Sequence, residues 1–117
     1  MQGMMNNKQY QEARNKLIQE LRRGTLVLAV LSRLDQERYG YDLISRLGDH
    51  GLEIEQGTLY PLLRRLEEQG LLTSEWNVEG SRPRRYYQIS PDGQQLLEEL
   101  TVEWKELSII IQKLLDD

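Results

Sequence analysis

The chain has no cysteine, no phenylalanine, only three prolines in 117 residues and no long apolar run. Without cysteine, disulfides and thiolate metal sites are excluded, which fits a reducing compartment. No segment approaches the roughly 18 apolar residues of a spanning helix, and residues 1–8 lack the apolar centre of a signal peptide. These absences point to a soluble, cytoplasmic protein with no membrane partner. Apolar residues make up 38%, a modest supply for the core of a single small domain. A second subunit is therefore expected to bury part of the apolar surface.

Catalytic sets are missing too. His50 is the sole histidine and has no triad or metal partner in view. No glycine-rich phosphate loop ends in Lys-Ser or Lys-Thr. Glu98 and Glu99 are adjacent, so on a helix they diverge and cannot act as a paired acid and base. The sequence predicts no enzyme, no metal and no cofactor.

The net charge of −4 argues at first sight against nucleic acid. Its distribution argues the other way: residues 1–23 carry +3 and residues 91–117 carry −5, while Arg82, Arg84 and Arg85 fall within four positions with no acid among them. Such separation lets one face attract phosphate while another repels it.

Periodicity predicts an amphipathic helix over Gln9–Leu21, a second over Thr25–Leu34 that is apolar on nearly every face, and a third over Gly40–Leu47. A fourth, Thr58–Gln69, turns Leu59, Leu62, Leu63 and Leu66 inward and Pro61, Arg64 and Arg65 outward, with Tyr60 on the flank. Because proline is tolerated in a first turn, Pro61 places the start near Thr58, read as the N-cap. Alternating residues over 71–76 and 86–89, separated by Gly80, Ser81 and Pro83, predict a β-hairpin with a long basic tip. Pro91 opens a last helix to about Leu115, on which Leu96, Leu100, Trp104, Leu107, Ile111 and Leu114 recur at spacings of four and three, close to a coiled-coil seam. The expected fold is mainly α with a β-hairpin wing (α+β): a winged helix-turn-helix plus a long C-terminal dimerisation helix. Its divisions are an N-terminal helical extension (1–20), the winged unit (21–90) and the C-terminal helix (91–117).

Two constellations suit double-stranded DNA. In a helix-turn-helix the second helix enters the major groove, which puts Thr58, Tyr60, Pro61, Arg64 and Arg65 near it; a merely solvated helix surface is the competing reading. Guanidinium groups pair bidentately with phosphate, which suits Arg82, Arg84 and Arg85 on the hairpin; the alternative is a solubilising loop. Leu28, Leu31, Leu100, Trp104, Leu107, Ile111 and Leu114 are the candidate homodimer interface. Trp104 is either plain interface core or one wall of a cavity in which a small aromatic effector stacks.

The runs Leu21-Arg-Arg-Gly-Thr-Leu26 and Tyr39-Gly-Tyr-Asp-Leu43, then Gly57-Thr-Leu-Tyr-Pro61 with Arg65-Leu-Glu67 and Gly70-Leu71, resemble PadR-like transcriptional regulators. Gly80-Ser-Arg-Pro-Arg-Arg-Tyr-Tyr-Gln-Ile-Ser-Pro-Asp-Gly93 is similar to that family's wing and second strand. The resemblance covers about Leu21 to the C-terminus and leaves residues 1–20 outside it. It implies the short subfamily with a single C-terminal helix. Its members are repressors that dimerise through their first and last helices and release DNA on binding a small molecule. It further implies Thr58, Tyr60 and Pro61 at the DNA surface, Arg82, Arg84 and Arg85 on the wing, and Trp104 at an inter-subunit aromatic position. The rival functions are a winged-helix protein-protein adaptor and a small-molecule sensor without operator binding.

Overall fold

The structure is a computed structural model and describes residues 5–117. Four helices and three short strands follow in the order α1 (Asn7–Ser32), β1 (Arg38–Tyr39), α2 (Gly40–Asp49), α3 (Gln56–Glu68), β2 (Leu72–Asn77), β3 (Arg84–Ile89) and α4 (Pro91–Asp116). The architecture is the expected winged helix with a long C-terminal helix. None of the described helices is long and apolar enough to cross a membrane.

The two helices expected before residue 35 are one. Asn6 and Gln9 form a reciprocal capping box at the start of α1 (Gln9 N donates to Asn6 Oδ1 at 2.8 Å, Asn6 N to Gln9 Oε1 at 3.1 Å). The helix then runs through Gly24. A glycine there costs about 1 kcal/mol against alanine but breaks nothing when its neighbours, Leu21, Arg22, Arg23 and Leu26, favour the helix. The boundary expected at residue 20 thus falls inside a continuous element.

The core collects Val30, Leu31 and Leu34 from α1, Leu43 and Leu47 from α2, Leu59, Leu62, Leu63 and Leu66 from α3, Leu72 from β2 and Tyr87 from β3. Leucines, with one valine and one tyrosine, take the volume that phenylalanine fills elsewhere. The inward face predicted for α3 is the face observed. Leu31 corrects an expectation: it is 0% exposed within its own subunit, so it has nothing left to offer a partner. Leu100 is also half-buried against this core. Leu28, half-buried as well, lies outside the set packed on the core.

Helix α3 starts two residues before the predicted Thr58, with Glu55 as N-cap. The amides of Thr58 and Leu59 both donate to the Glu55 carbonyl (3.0 and 2.9 Å), so the first turn closes before Pro61 is reached. Pro61 then sits in the second turn, and the Gly57 carbonyl loses the partner that an ordinary residue at 61 would supply. The proline is exposed to solvent. At the other end Gly70 adopts φ +81° and Leu71 N reaches back to Leu66 O (2.9 Å), a left-handed stop.

The sheet has the order β1-β3-β2, antiparallel throughout, with Arg38 opposite Tyr87 and Leu72 opposite Ile89. β1 is too short for any alternation to show in sequence. Arg84 and Arg85, expected at the hairpin tip, are paired residues of β3 opposite Asn77 and Trp76; the tip proper is 78–83. α4 is anchored at its start, where Ser90 Oγ accepts from Gly93 N (3.0 Å) and donates to Gly70 O (2.7 Å).

Beyond Leu100 the last helix leaves its own subunit bare. Trp104, Leu107, Ile111 and Leu114 are exposed, and so are Val102, Ile109, Ile110 and Leu115. The apolar surface is therefore wider than the narrow seam the spacing predicts.

Candidate nucleic-acid interface

Helix α3 and the wing face each other across a cleft of about 660 Å³. The N-terminus of α2 closes one end with Tyr39, Gly40 and Tyr41. Helix α3 contributes Gln56, Tyr60 and Arg64; the hairpin contributes Trp76, Arg82, Pro83, Arg84, Arg85 and Tyr87. Four of these lining residues are arginines and none is acidic, so the local potential is positive in a chain whose total charge is negative. Five are aromatic, giving flat walls between the cations.

The hairpin is two-sided. A shallower depression on its other flank is lined by Glu37, Trp76, Val78 and Tyr86 with Glu75 and Glu79. One side of the wing is thus cationic and the other acidic, so a polyanion is attracted to the first and repelled by the second.

The arginines differ in how they are held. Arg64 and Arg82 have no carboxylate partner among the described residues. Arg84 places its guanidinium over the Tyr39 ring, 4.7 Å from the centroid, which orients the side chain without neutralising it. Arg85 is committed internally: its Nη2 donates to Glu67 Oε1 (2.8 Å) and its Nε to Ser74 Oγ (2.9 Å), while Ser74 Oγ donates to Glu67 Oε2 (2.7 Å). It also lies 5.5 Å from the Tyr87 ring centre. Burial raises the Tyr87 phenol above the ordinary tyrosine range, with Arg85 pulling it down and Glu67 pushing it up.

Of the residues expected at DNA, the structure brings together Tyr60, Arg64, Arg82, Arg84 and Arg85. Arg65 and Pro61 are exposed but do not line the cleft. Thr58 is exposed and lines a separate groove, beside Arg22 and Arg23 of α1, rather than the cleft. Tyr60, expected as an outward reader of bases, is half-buried with its ring laid over Gly40. Sequence reasoning missed Gln56 and Trp76 in the cleft and Glu67 behind it. Gln56 falls before the predicted helix start, whereas nothing in the pattern around Trp76, or in the motif that contains Glu67, tells of a place at the cleft until the strands lie beside α3.

Comparison with known proteins identifies the family. The model of the transcriptional regulator PadR-like family matches residues 27–99. A transcriptional regulator of Mycobacterium tuberculosis is 41% identical over 83 residues, covering 70% of this chain and 78% of that protein. The crystal structure of a PadR family transcriptional regulator from Eggerthella lenta superposes with a TM-score of 0.86 at 49% identity, covering 92% of this chain and 96% of that one. A PadR-like transcriptional regulator from Bacillus cereus gives 0.74 at 30% identity, covering 84% and 98%. Positive cleft, two-sided wing and these likenesses lead to one conclusion: the chain belongs to the PadR-like family of transcriptional regulators, which are not enzymes.

Proposed function

We propose that this regulator is a cytoplasmic repressor that binds double-stranded DNA as a homodimer and lets go when a small aromatic effector binds. The observation that carries the reading is the cleft shared by α3 and the wing, where Arg64, Arg82 and Arg84 converge without an opposing acid. Residues 21–90 serve as the DNA-binding unit and 91–117 as the dimerisation helix, with the N-terminal part of α1, from Asn7 to Glu20, as an extension continuous with the first. Symmetry then sets two copies of α3 about 34–36 Å apart on successive major grooves, over a pseudo-palindromic operator. Thr58 and the solvent side of α3, including Arg65, meet the groove and its phosphates, and Arg82 and Arg84 follow the backbone.

Dimerisation is supported by the bare apolar surface of α4, which includes Trp104, Leu107, Ile111 and Leu114, and by Leu28 on α1. Trp104, 48% exposed in the single subunit, stands where two copies could flank a flat ligand. The deciding experiment is a nuclease footprint on DNA flanking the protein's own gene, at low and moderate salt. A protected pseudo-palindrome whose occupancy falls steeply with salt is expected. Uniform cleavage at every protein concentration would defeat the reading.

A further inference from the structure

The bonds between Glu67, Ser74 and Arg85 join the helix that would enter the groove to both strands of the wing. Glu67 is in the last turns of α3, Ser74 on β2 and Arg85 on β3. Each is tied to the other two: Arg85 to Glu67 at 2.8 Å, Arg85 to Ser74 at 2.9 Å and Ser74 to Glu67 at 2.7 Å. The ring is partly shielded, with the side chains of Arg85 and Glu67 36% and 27% exposed. A planar guanidinium donating to two acceptors resists both rotation and sliding. Both carboxylate oxygens of Glu67 and two of the five guanidinium N–H donors of Arg85 are engaged, and the Glu67 carboxylate offsets the charge that Arg85 would otherwise offer a phosphate.

We propose that Glu67 is a positioning residue for DNA binding: acting through Arg85 and Ser74, it sets the attitude of the wing on α3 so that Arg82 and Arg84 face the same cleft as Arg64. The inference rests on the DNA-binding reading above and deepens it. It also reassigns Arg85 from phosphate ligand to brace. The claim runs against simple electrostatics, since removing a carboxylate beside a cationic cleft should tighten the hold on DNA, whereas loss of the brace loosens it.

The test is DNA affinity as a function of salt on the footprinted operator, with the fraction of active protein measured by stoichiometric titration. Glu67→Ala, Arg85→Ala and the double variant are each expected to weaken binding about tenfold, the double no more than the singles, as for partners in one network. The slope of log affinity against log salt stays that of the parent, and the active fraction stays at one. Arg84→Ala, by contrast, flattens the slope by about 1.8, one phosphate contact in each half of the dimer. Arg85→Lys keeps the charge but not the fork and is expected to behave like Arg85→Ala, while Glu67→Gln, which keeps an acceptor, retains part of the affinity. Should either alanine variant fail to fold, these two conservative changes decide the matter alone. Tighter binding by Glu67→Ala or Glu67→Gln, or a slope flattened by Arg85→Ala or Arg85→Lys, overturns the proposal and makes Arg85 a direct contact. Losses at Arg84 with none at Glu67 refute the brace alone; indifference to Arg84 and Glu67 together refutes the DNA-binding reading as well.

Discussion

The α-carbon of Gly93, third residue of α4, lies against the carbonyl of Leu71 at the entrance to β2, so closely that a side chain at 93 would overlap the Leu71 oxygen and sit 2.8 Å from Ile89 Cγ1. The obstacle is backbone on one side and a strand residue on the other, and neither can step aside without moving the sheet. A glycine-to-alanine change in a helix ordinarily stabilises by about 1 kcal/mol. Here Gly93→Ala is expected to destabilise by about 1–3 kcal/mol, the usual cost of overpacking. Urea denaturation reads the sign directly, and an unchanged or raised midpoint would refute the contact.

A similar crowding at Gly40 has the opposite outcome. A methyl group there would sit 2.7 Å from Cζ and from the hydroxyl of Tyr60, but these atoms are the far end of a side chain that can rotate away. Gly40→Ala is therefore expected to change stability by less than about 1 kcal/mol while displacing Tyr60 within the cleft. DNA affinity measured beside a melting curve separates the two effects: altered binding with a melting point near the parent's is the expected pair.

The bare surface of α4 makes oligomeric state a direct readout. Ile111 is 50% exposed and makes no part of the core. Ile111→Asp is expected to leave the fold of the subunit intact and to yield a monomer in sedimentation velocity, because a charge buried without a partner at an interface is strongly unfavourable. A monomeric parent protein, or a variant that sediments as its parent does, counts against the α4 interface.

Tyr87 supplies a pH signature. Its phenol is harder to ionise in the folded protein than in the unfolded chain, whose tyrosines titrate near 10. Below that pH both states keep the proton and stability is unaffected. Above it the unfolded chain releases the proton first, so stability falls as pH rises toward the folded value, by at most about 1.4 kcal/mol per pH unit. Tyr87→Phe lacks this loss. Urea midpoints taken from pH 8 to 11 should show the parent losing stability relative to the variant above pH 10; a constant difference would show that the phenol is not held neutral.

How much of this was legible in sequence follows from the range of each interaction. Leu59, Leu62, Leu63 and Leu66 announced the buried side of α3 because helical spacing is local. Pro61 misled by two residues, since a chain reading knows the cost of a proline in a second turn but not that Glu55 has already closed the first. Gln9–Leu21 and Thr25–Leu34 read as two helices because one is amphipathic and the other apolar on nearly every face, while the backbone of α1 runs through both. Arg84 and Arg85 looked equivalent; only the pairing of β2 with β3, and of both with α3, puts Glu67 beside one and Tyr39 beneath the other. Leu31 was misassigned for a related reason: a helix apolar on every side gives no hint of which side its own subunit covers.

The unbroken course of α1 gives the molecule a lever. Its 26 residues span about 39 Å, with Val30 and Leu31 embedded among the leucines of α2 and α3 and Tyr10, Leu17 and Leu21 out in solvent at the far arm. Because the helix has no break, the attitude of that exposed arm is fixed relative to the core that Val30 and Leu31 enter.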